Sequence, residues 1–373
     1  MRTVHHRLET DTPGTIREIV SHRFGKAGAR PLVYMQAALH AGEIPGMLLL
    51  RHLLPLLERF EAAGRIQGEI IIVPVANPIG LSQALLHDGI GRFETYTAEN
   101  FNRHYPDLGV LVMERLEGKL TSDAGRNAEV IRAEMAAVLD ELTPKTELEH
   151  LRRTLLGMAV QADMVLDLHC DLEALMHLYT TNTSREWGGV LSGYLGAAVV
   201  LLSDESGGNA FDESCSTQWD RFRARWGKDY PIPVGCQAAT VELRGIADVD
   251  DTTASDDAAG IADWLVAVGA VAGDIPPARH GEGDLVLLAG TDDLKAPIGG
   301  VLSFRQKLGA RVRPGDPIAD VIDPVSGERH TLTTRAEGVF YAHDHRRFVR
   351  RGTSVGQISG AVPLRFGSLL AAR

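Results

Sequence analysis

Residues 31–64 read PLVYMQAALHAGEIPGMLLLRHLLPLLERFEAAG. The run from Pro31 is a short apolar strand, and from Met47 apolar residues recur at helical spacing until Gly64 stops them. Between the two lies the loop HAGEIPG. A second strand, GEIIIVPVAN (68–77), follows almost at once, with the uninterrupted apolar run of a strand covered on both faces. Strand, loop, helix, strand predicts a central and largely parallel sheet.

Outward from this unit the alternation continues. After Asn77 a long, polar, aperiodic stretch runs through NFNRHYPD (100–107), and loops of that length usually carry function. A helical segment from roughly Ser122 to Ala159, interrupted at Pro144, leads into the strand ADMVLDLHC (162–170). Further strands are expected at HLYTTN (177–182), AAVVLLS (197–203) and ATVELRG (239–245), with a helix from about Asp256 to Val271. The expected class is α/β, a mixed, largely parallel sheet flanked by helices. Composition shifts after Gly273. The segment GDIPPARHGEG is rich in Pro and Gly, and beyond it short strands alternate with turn residues from Leu285 to about Ser359. Residues 1–280 are expected to form the α/β domain and residues 281–373 a small all-β domain.

The net charge of −11 argues against a nucleic-acid surface, which needs a clustered basic stripe, and the stretch Arg346 to Arg351 is too short to supply one. Cys170, Cys215 and Cys236 are irregularly spaced and suggest neither a disulfide framework nor a metal knuckle, so a reducing cytoplasm is expected. No window approaches the roughly 18 uncharged apolar residues of a membrane span, and the N-terminus lacks the apolar stretch of a signal peptide.

The chemistry concentrates at strand ends. His40 and Glu43 follow the first strand, at the carboxyl edge where open α/β sheets place their sites, and the HxxE spacing brings both side chains to one point. A catalytic zinc takes three protein ligands, His2Glu being a common set, and keeps one position for water. DLHCD offers His169 as the third ligand. Period-2 alternation puts Asp167 on the same side, where a carboxylate can orient the imidazole, and turns Cys170 away as a small buried residue. Glu242, at the end of another apolar strand, either faces this pocket as general base or pairs with Arg244 on its own strand face. Asn102 and Arg103, with Arg92 upstream, are either solvated loop residues or an anion clamp built on a guanidinium fork.

HAGEIPG, NFNR, DLHCD and VELRG, in this order and at strand ends, resemble the succinylglutamate desuccinylase and aspartoacylase family, relatives of the zinc carboxypeptidases. The resemblance covers most of the chain. It implies a zinc-carboxypeptidase-like fold in which His40, Glu43 and His169 bind one zinc ion per chain and Glu242 activates the water. It also implies that Asn102 and Arg103 hold the carboxylate of a small N-acyl amino acid; Arg244, on the strand face of Glu242, is expected on the substrate side with them. Arg92 then polarises the scissile carbonyl or stabilises its oxyanion. The products are a carboxylate and a free amino acid. Homo-oligomers are common among such enzymes. The C-terminal segment is similar to the barrel-sandwich folds of lipoyl and biotinyl carriers, but its hairpin tip, DPVSGERH (323–330), has no lysine to modify, which favours a structural role or a wall for the site. A second metal at His343, Asp344 and His345 is the minor reading there.

Two other functions compete. A metallocarboxypeptidase trimming peptide C-termini would use the same metal and clamp, and a C-terminal domain that caps the cleft would argue against it. A non-catalytic binding protein on the same fold would have little need of Glu242.

Overall fold

The computed structural model describes residues 1–367 and 369–370. Its centre is a nine-stranded sheet in the order Arg2–Arg7, Glu18–Phe24, Glu69–Val73, Leu32–Ala37, Met164–Asp171, Gln237–Gly245, His177–Thr180, Val199–Leu202 and Asp284–Leu287. Five of its eight pairings are parallel, which makes the sheet mixed but largely parallel, as expected.

Both faces are covered, and the apolar runs follow from that. All six residues of Leu32–Ala37 and all five of Glu69–Val73 are buried. On one face the helices Pro45–Ala62, Arg185–Leu195 and Asp251–Ala267 pack over Val33, Met35, Leu166 and Leu168. On the other, Ala124–Glu141, Glu147–Ala159 and Phe211–Trp226 pack over Tyr34, Ile71 and Val165. The helix Pro45–Ala62 starts on a proline and buries Leu49, Leu50, Leu53, Leu54 and Leu57. Its Gly46 lies so close to the sheet that a Cβ there would stand 2.9 Å from the Ala37 Cβ and 3.0 Å from the Leu168 Cβ. That approach fixes the start of the helix against the strand that leads into the HxxE loop and the strand that carries His169.

Several elements differ from the sequence expectation. The helix expected from Asp256 begins at Asp251, where Asp250 caps it by accepting from the Thr253 amide. The hairpin Arg2–Arg7 with Glu18–Phe24 and the helices Arg185–Leu195 and Phe211–Trp226 lie outside the elements that the sequence predicts. The run Asp284–Leu287, expected in the C-terminal domain, instead pairs parallel with Val199–Leu202 as the sheet's last strand. The change of architecture therefore falls after Leu287, not at residue 281. A four-residue apolar run carries no mark of the sheet it will join.

From Asp292 the strands are short and antiparallel. Arg329–Thr333, Pro317–Ile322, Gly300–Phe304 and Phe348–Val349 form one layer, and Asp292–Lys295, Ser354–Ile358, Gly338–His343 and Arg311–Val312 another. The two layers enclose their own core, which includes Ile318, Val321, Phe340 and Ile358. This module docks beside the exit of the His169 strand, where Ala174 pairs with Ala342 and the Leu175 amide donates to the Tyr341 carbonyl at 2.8 Å.

Candidate metal centre and its cavity

Immediately after the strand Leu32–Ala37, Ala38 takes a positive φ of 60°, and the chain turns sharply into His40. The Glu43 amide donates to the His40 carbonyl at 2.9 Å, closing the turn that brings both side chains to one point. His169 arrives from the next strand in the sheet. His40, Glu43 and His169 are all buried, and their donor atoms lie within 4.8 Å of one another. His40 Nδ1 stands 3.0 Å from Glu43 Oε1, and His169 Nδ1 2.7 Å from Glu43 Oε2.

The outer nitrogen of each ring has a polar neighbour. His40 Nε2 lies 2.8 Å from Asn100 Oδ1, an acceptor that fixes the proton there and leaves the unprotonated Nδ1, with its lone pair free to bind a metal, facing the centre. His169 Nε2 lies 3.0 Å from Asp167 Oδ2; the distance suits a hydrogen bond but the alignment does not, so the contact acts through charge. Asp167 is completely buried and is steadied by Gln36, whose Nε2 donates to Oδ1 at 2.9 Å.

Electrostatics fit a cation. Burial lowers the His40 pKa, which favours the neutral imidazole a metal requires. Burial also works against charge on His169, but the Asp167 and Glu43 carboxylates raise it well above its ordinary value. For Glu43 burial pushes upward, yet His40 and His169 hold it well below the usual carboxylate range. Two imidazoles around one carboxylate, each with a polar group behind it, form a donor set that fits a zinc ion.

Glu242 is the direct register partner of His169 on the adjacent parallel strand. Its Oε2 is buried without a hydrogen-bond partner, while the residue keeps an edge toward the cavity. Burial, reinforced by the Glu43 carboxylate, pushes its pKa up to about 8. Arg92 approaches from the long loop and donates from Nη1 to Glu43 Oε1 at 3.1 Å. Asn102 accepts the Phe211 amide on its Oδ1 at 2.8 Å, which ties the NFNR loop to the start of the helix Phe211–Trp226. Arg103 is buried and donates to the carbonyls of Asn102 and Leu370, at 2.6 and 3.0 Å.

His40, His169, Glu242, Arg92, Asn102 and Arg103 line one cavity of about 720 Å³. Arg244 does not. Period-2 alternation would keep it on the Glu242 face, but the strand is irregular between Glu242 and Gly245, and Arg244 adopts φ 65°. Its guanidinium turns to the helix Asp251–Ala267 and pairs with Asp257, so the expected substrate-side role is not supported. Neither does it pair with Glu242. The cavity's far wall comes from the C-terminal module, through Lys295, the run His343 to Arg346 and the run Gly352 to Gln357. Among the described residues the His343 segment gathers no second set of three metal donors, because His343 faces Glu173 and Asp344 faces Arg346.

Sequence reasoning missed Asn100, Gln36 and Asp212, which also lines the cavity. Asn100 sits in the quoted NFNR motif, yet its contact with His40 spans 60 positions and no local spacing announces it.

Fold and site together define a layered α/β protein with a His2Glu centre at the carboxyl edge of its sheet. The family model of the succinylglutamate desuccinylase/aspartoacylase catalytic domain matches residues 29–268, well over half of the chain, and the protein belongs to that family. Solved relatives agree. A member of the family from Shewanella amazonensis is 27% identical with a TM-score of 0.84, covering 96% of this chain and 98% of that one. A second, from Shewanella frigidimarina, is 24% identical with a TM-score of 0.84 over 98% of each chain. The product-bound ectoine utilization protein EutE (DoeB) from Ruegeria pomeroyi shares the fold at 17% identity and a TM-score of 0.65, covering 96% of this chain and 95% of that one. Among curated proteins, bacteriocin BCN5 of Clostridium perfringens is 35% identical over 97 residues, which is 25% of this chain and only 11% of that protein. So short an overlap transfers no activity. Among the described residues no helix is long and apolar enough to cross a membrane.

Proposed function

We propose that the protein is a zinc-dependent amidohydrolase that releases a carboxylate and a free amino acid from a small N-acyl amino acid. His40, Glu43 and His169 hold one zinc ion per chain. The observation that carries this reading is the placement of Glu242, an unpartnered carboxyl beside a buried His2Glu set. When bound, zinc supplies Lewis-acid polarisation of the acyl carbonyl and lowers the pKa of a water to about 7.

The chain's own residues do the rest. Glu242 takes a proton from the attacking water and returns it to the departing nitrogen, a double duty suited to a carboxylate that sits beside His169 with no hydrogen-bond partner on Oε2. Arg103 meets only neutral carbonyls, so its charge is available to a substrate carboxylate, a stronger acceptor than either. Asn102 holds the loop in place. Arg92, within reach of the centre, stabilises negative charge developing on the carbonyl oxygen. Asp167 orients His169.

The wall contributed by the C-terminal module favours a small substrate over a peptide chain, and so favours a deacylase over a carboxypeptidase. A reducing, cytoplasmic setting suits the three free, buried cysteines. The test is release of free amino acid from a panel of N-acyl amino acids and short peptides, with metal measured on the same sample. Turnover of a small N-acyl amino acid at about one zinc per chain supports the reading. Cleavage of peptides alone would replace it with the carboxypeptidase, and no turnover with zinc added would leave a binding protein.

A further inference from the structure

A second cavity, of about 570 Å³, opens at the other end of the sheet. Leu32 and Glu69, which line it, are the first residues of their strands, whereas the turn to His40 follows the far end of the Leu32 strand. That strand has six residues and spans ~20 Å, so the cavity is remote from the metal centre. Its floor is apolar, made by the buried Leu32, Ile71, Leu139 and Met158.

Its walls are basic. His6 and Arg23 come from the N-terminal hairpin, Arg30 from the loop after it, and His150 and Arg153 from the helix Glu147–Ala159. Burial lowers the His6 pKa, and the Arg23 and His5 charges lower it further, as an electropositive wall requires. Two carboxylates stand among these cations. Glu69 is committed, with Oε2 accepting the Gly28 amide at 2.7 Å and Oε1 lying 3.5 Å from Arg23 Nη1. Asp140 is exposed at the end of the helix Ala124–Glu141. Arg30 pairs with Asp163 at 2.9 Å. Arg153 is different: it is half-buried, and among the described residues it has no hydrogen bond and no ion pair.

His150, Arg153, Thr154 and Gly157 recur at i, i+3, i+4 and i+7, so the helix turns one stripe toward the cavity. His150 Nδ1 accepts the Glu9 amide at 2.7 Å, which puts the ring proton on Nε2. The Thr154 hydroxyl has no partner among the described residues. A guanidinium, an imidazole N–H and a hydroxyl thus stand on adjacent turns as donors, the set that recognises an oxyanion. On the facing wall Arg23 Nε is buried without a partner. Gly157 points the same way. A glycine within a helix costs stability, yet its φ is not positive and a Cβ there would meet nothing within 4 Å, so neither a turn nor packing requires it. What it does is leave space beside the donors.

We propose that this cavity binds a small organic oxyanion, its phosphate or carboxylate head held by Arg153, His150 and Thr154 and its body resting on the apolar floor. The site stands apart from the metal centre and does not depend on the deacylase reading.

Phenyl phosphate and phenylacetate carry the same ring and differ in the head group. Their binding to the zinc-loaded, full-length protein is measured by calorimetry at fixed ionic strength. At least one should bind, and the tighter names the head group. Arg153→Gln should weaken that binding by at least about tenfold, the usual effect of losing a charged hydrogen bond. Gly157→Leu should weaken it as well, because its side chain fills the cavity, and leucine is the better helix former, so this variant should fold. Neither residue lines the metal-centre cavity, so turnover should be unchanged in both variants and reports their folding. Arg103→Gln should leave the binding intact. The site is overturned if neither probe binds, or if either cavity variant, folded, binds as tightly as the wild type. Loss of binding in Arg103→Gln alone would place the anion at the metal centre and overturn it too.

Discussion

Glu242 and His169 face each other across adjacent parallel strands, so the proposed base and a proposed metal ligand are held by backbone pairing and not by loop conformation. Sites on rigid elements keep their geometry when a side chain is exchanged. Glu242→Gln should therefore bind zinc as the wild type does, while kcat falls by about 10²- to 10⁴-fold, the usual contribution of a general base. Metal content and initial rates on one preparation check this. Retained hydrolysis would remove Glu242 from the mechanism.

His169→Ala should act on the metal itself. A metal that binds only the folded state, at 100 times its dissociation constant, adds about 2.7 kcal/mol of stability, and zinc at the proposed site is expected to do so. Thermal unfolding with and without zinc should show an upward shift for the wild type and little for the variant. Chelation should abolish wild-type activity and zinc should restore it. An equal zinc shift in both proteins would mean that the ion binds elsewhere.

How much of this was written in the sequence depends on distance along the chain. His40 and Glu43 are legible because a three-residue spacing after an apolar strand has one structural outcome, and His169 because it ends another such run. The helix Phe211–Trp226 is hidden in the sequence although Phe211, Cys215, Trp219 and Phe222 recur at helical intervals, because the polar FDESCSTQ that opens it masks the apolar stripe. Arg244 was misplaced for a different reason. Alternation holds only while a strand is regular, and the irregularity after Glu242 with φ 65° at Arg244 breaks the rule that put it in the site. Asn100 and Gln36 act through partners 60 and 131 positions away, which no periodicity encodes.

The C-terminal module should have its own acid sensitivity. Asp320 is nearly covered, at 4% side-chain exposure, and accepts from Arg305 at 2.9 Å, Arg329 at 2.6 Å and Thr331 at 2.7 Å. The Arg305 hydrogen bond leads in lowering its pKa from 3.8 to about 2. A depressed carboxylate stabilises the fold above its unfolded pKa, and that stability is lost as pH falls through the folded value. Asp320→Asn should thus be less stable than the wild type near neutrality, with the gap closing between about pH 4 and pH 2. Hydrogen exchange of the strand Pro317–Ile322 across that range reads it locally. A gap independent of pH would show that packing, not ionisation, makes the difference.

Gly46 links the packing of the first helix to the site. An alanine there gains up to about 1 kcal/mol of helix propensity, but its Cβ would press on the Ala37 and Leu168 Cβ atoms at 2.9 and 3.0 Å. Both contacts are with atoms fixed to central strands, so the helix must shift, and overpacking of this kind costs about 1–3 kcal/mol. The second effect should prevail, leaving Gly46→Ala less stable in denaturant unfolding. Glu43 lies three residues upstream, so the same shift should weaken zinc binding, and a metal titration would show it. A variant of wild-type stability and zinc affinity would mean that the helix moves freely and that the turn at Ala38 alone aims His40 and Glu43.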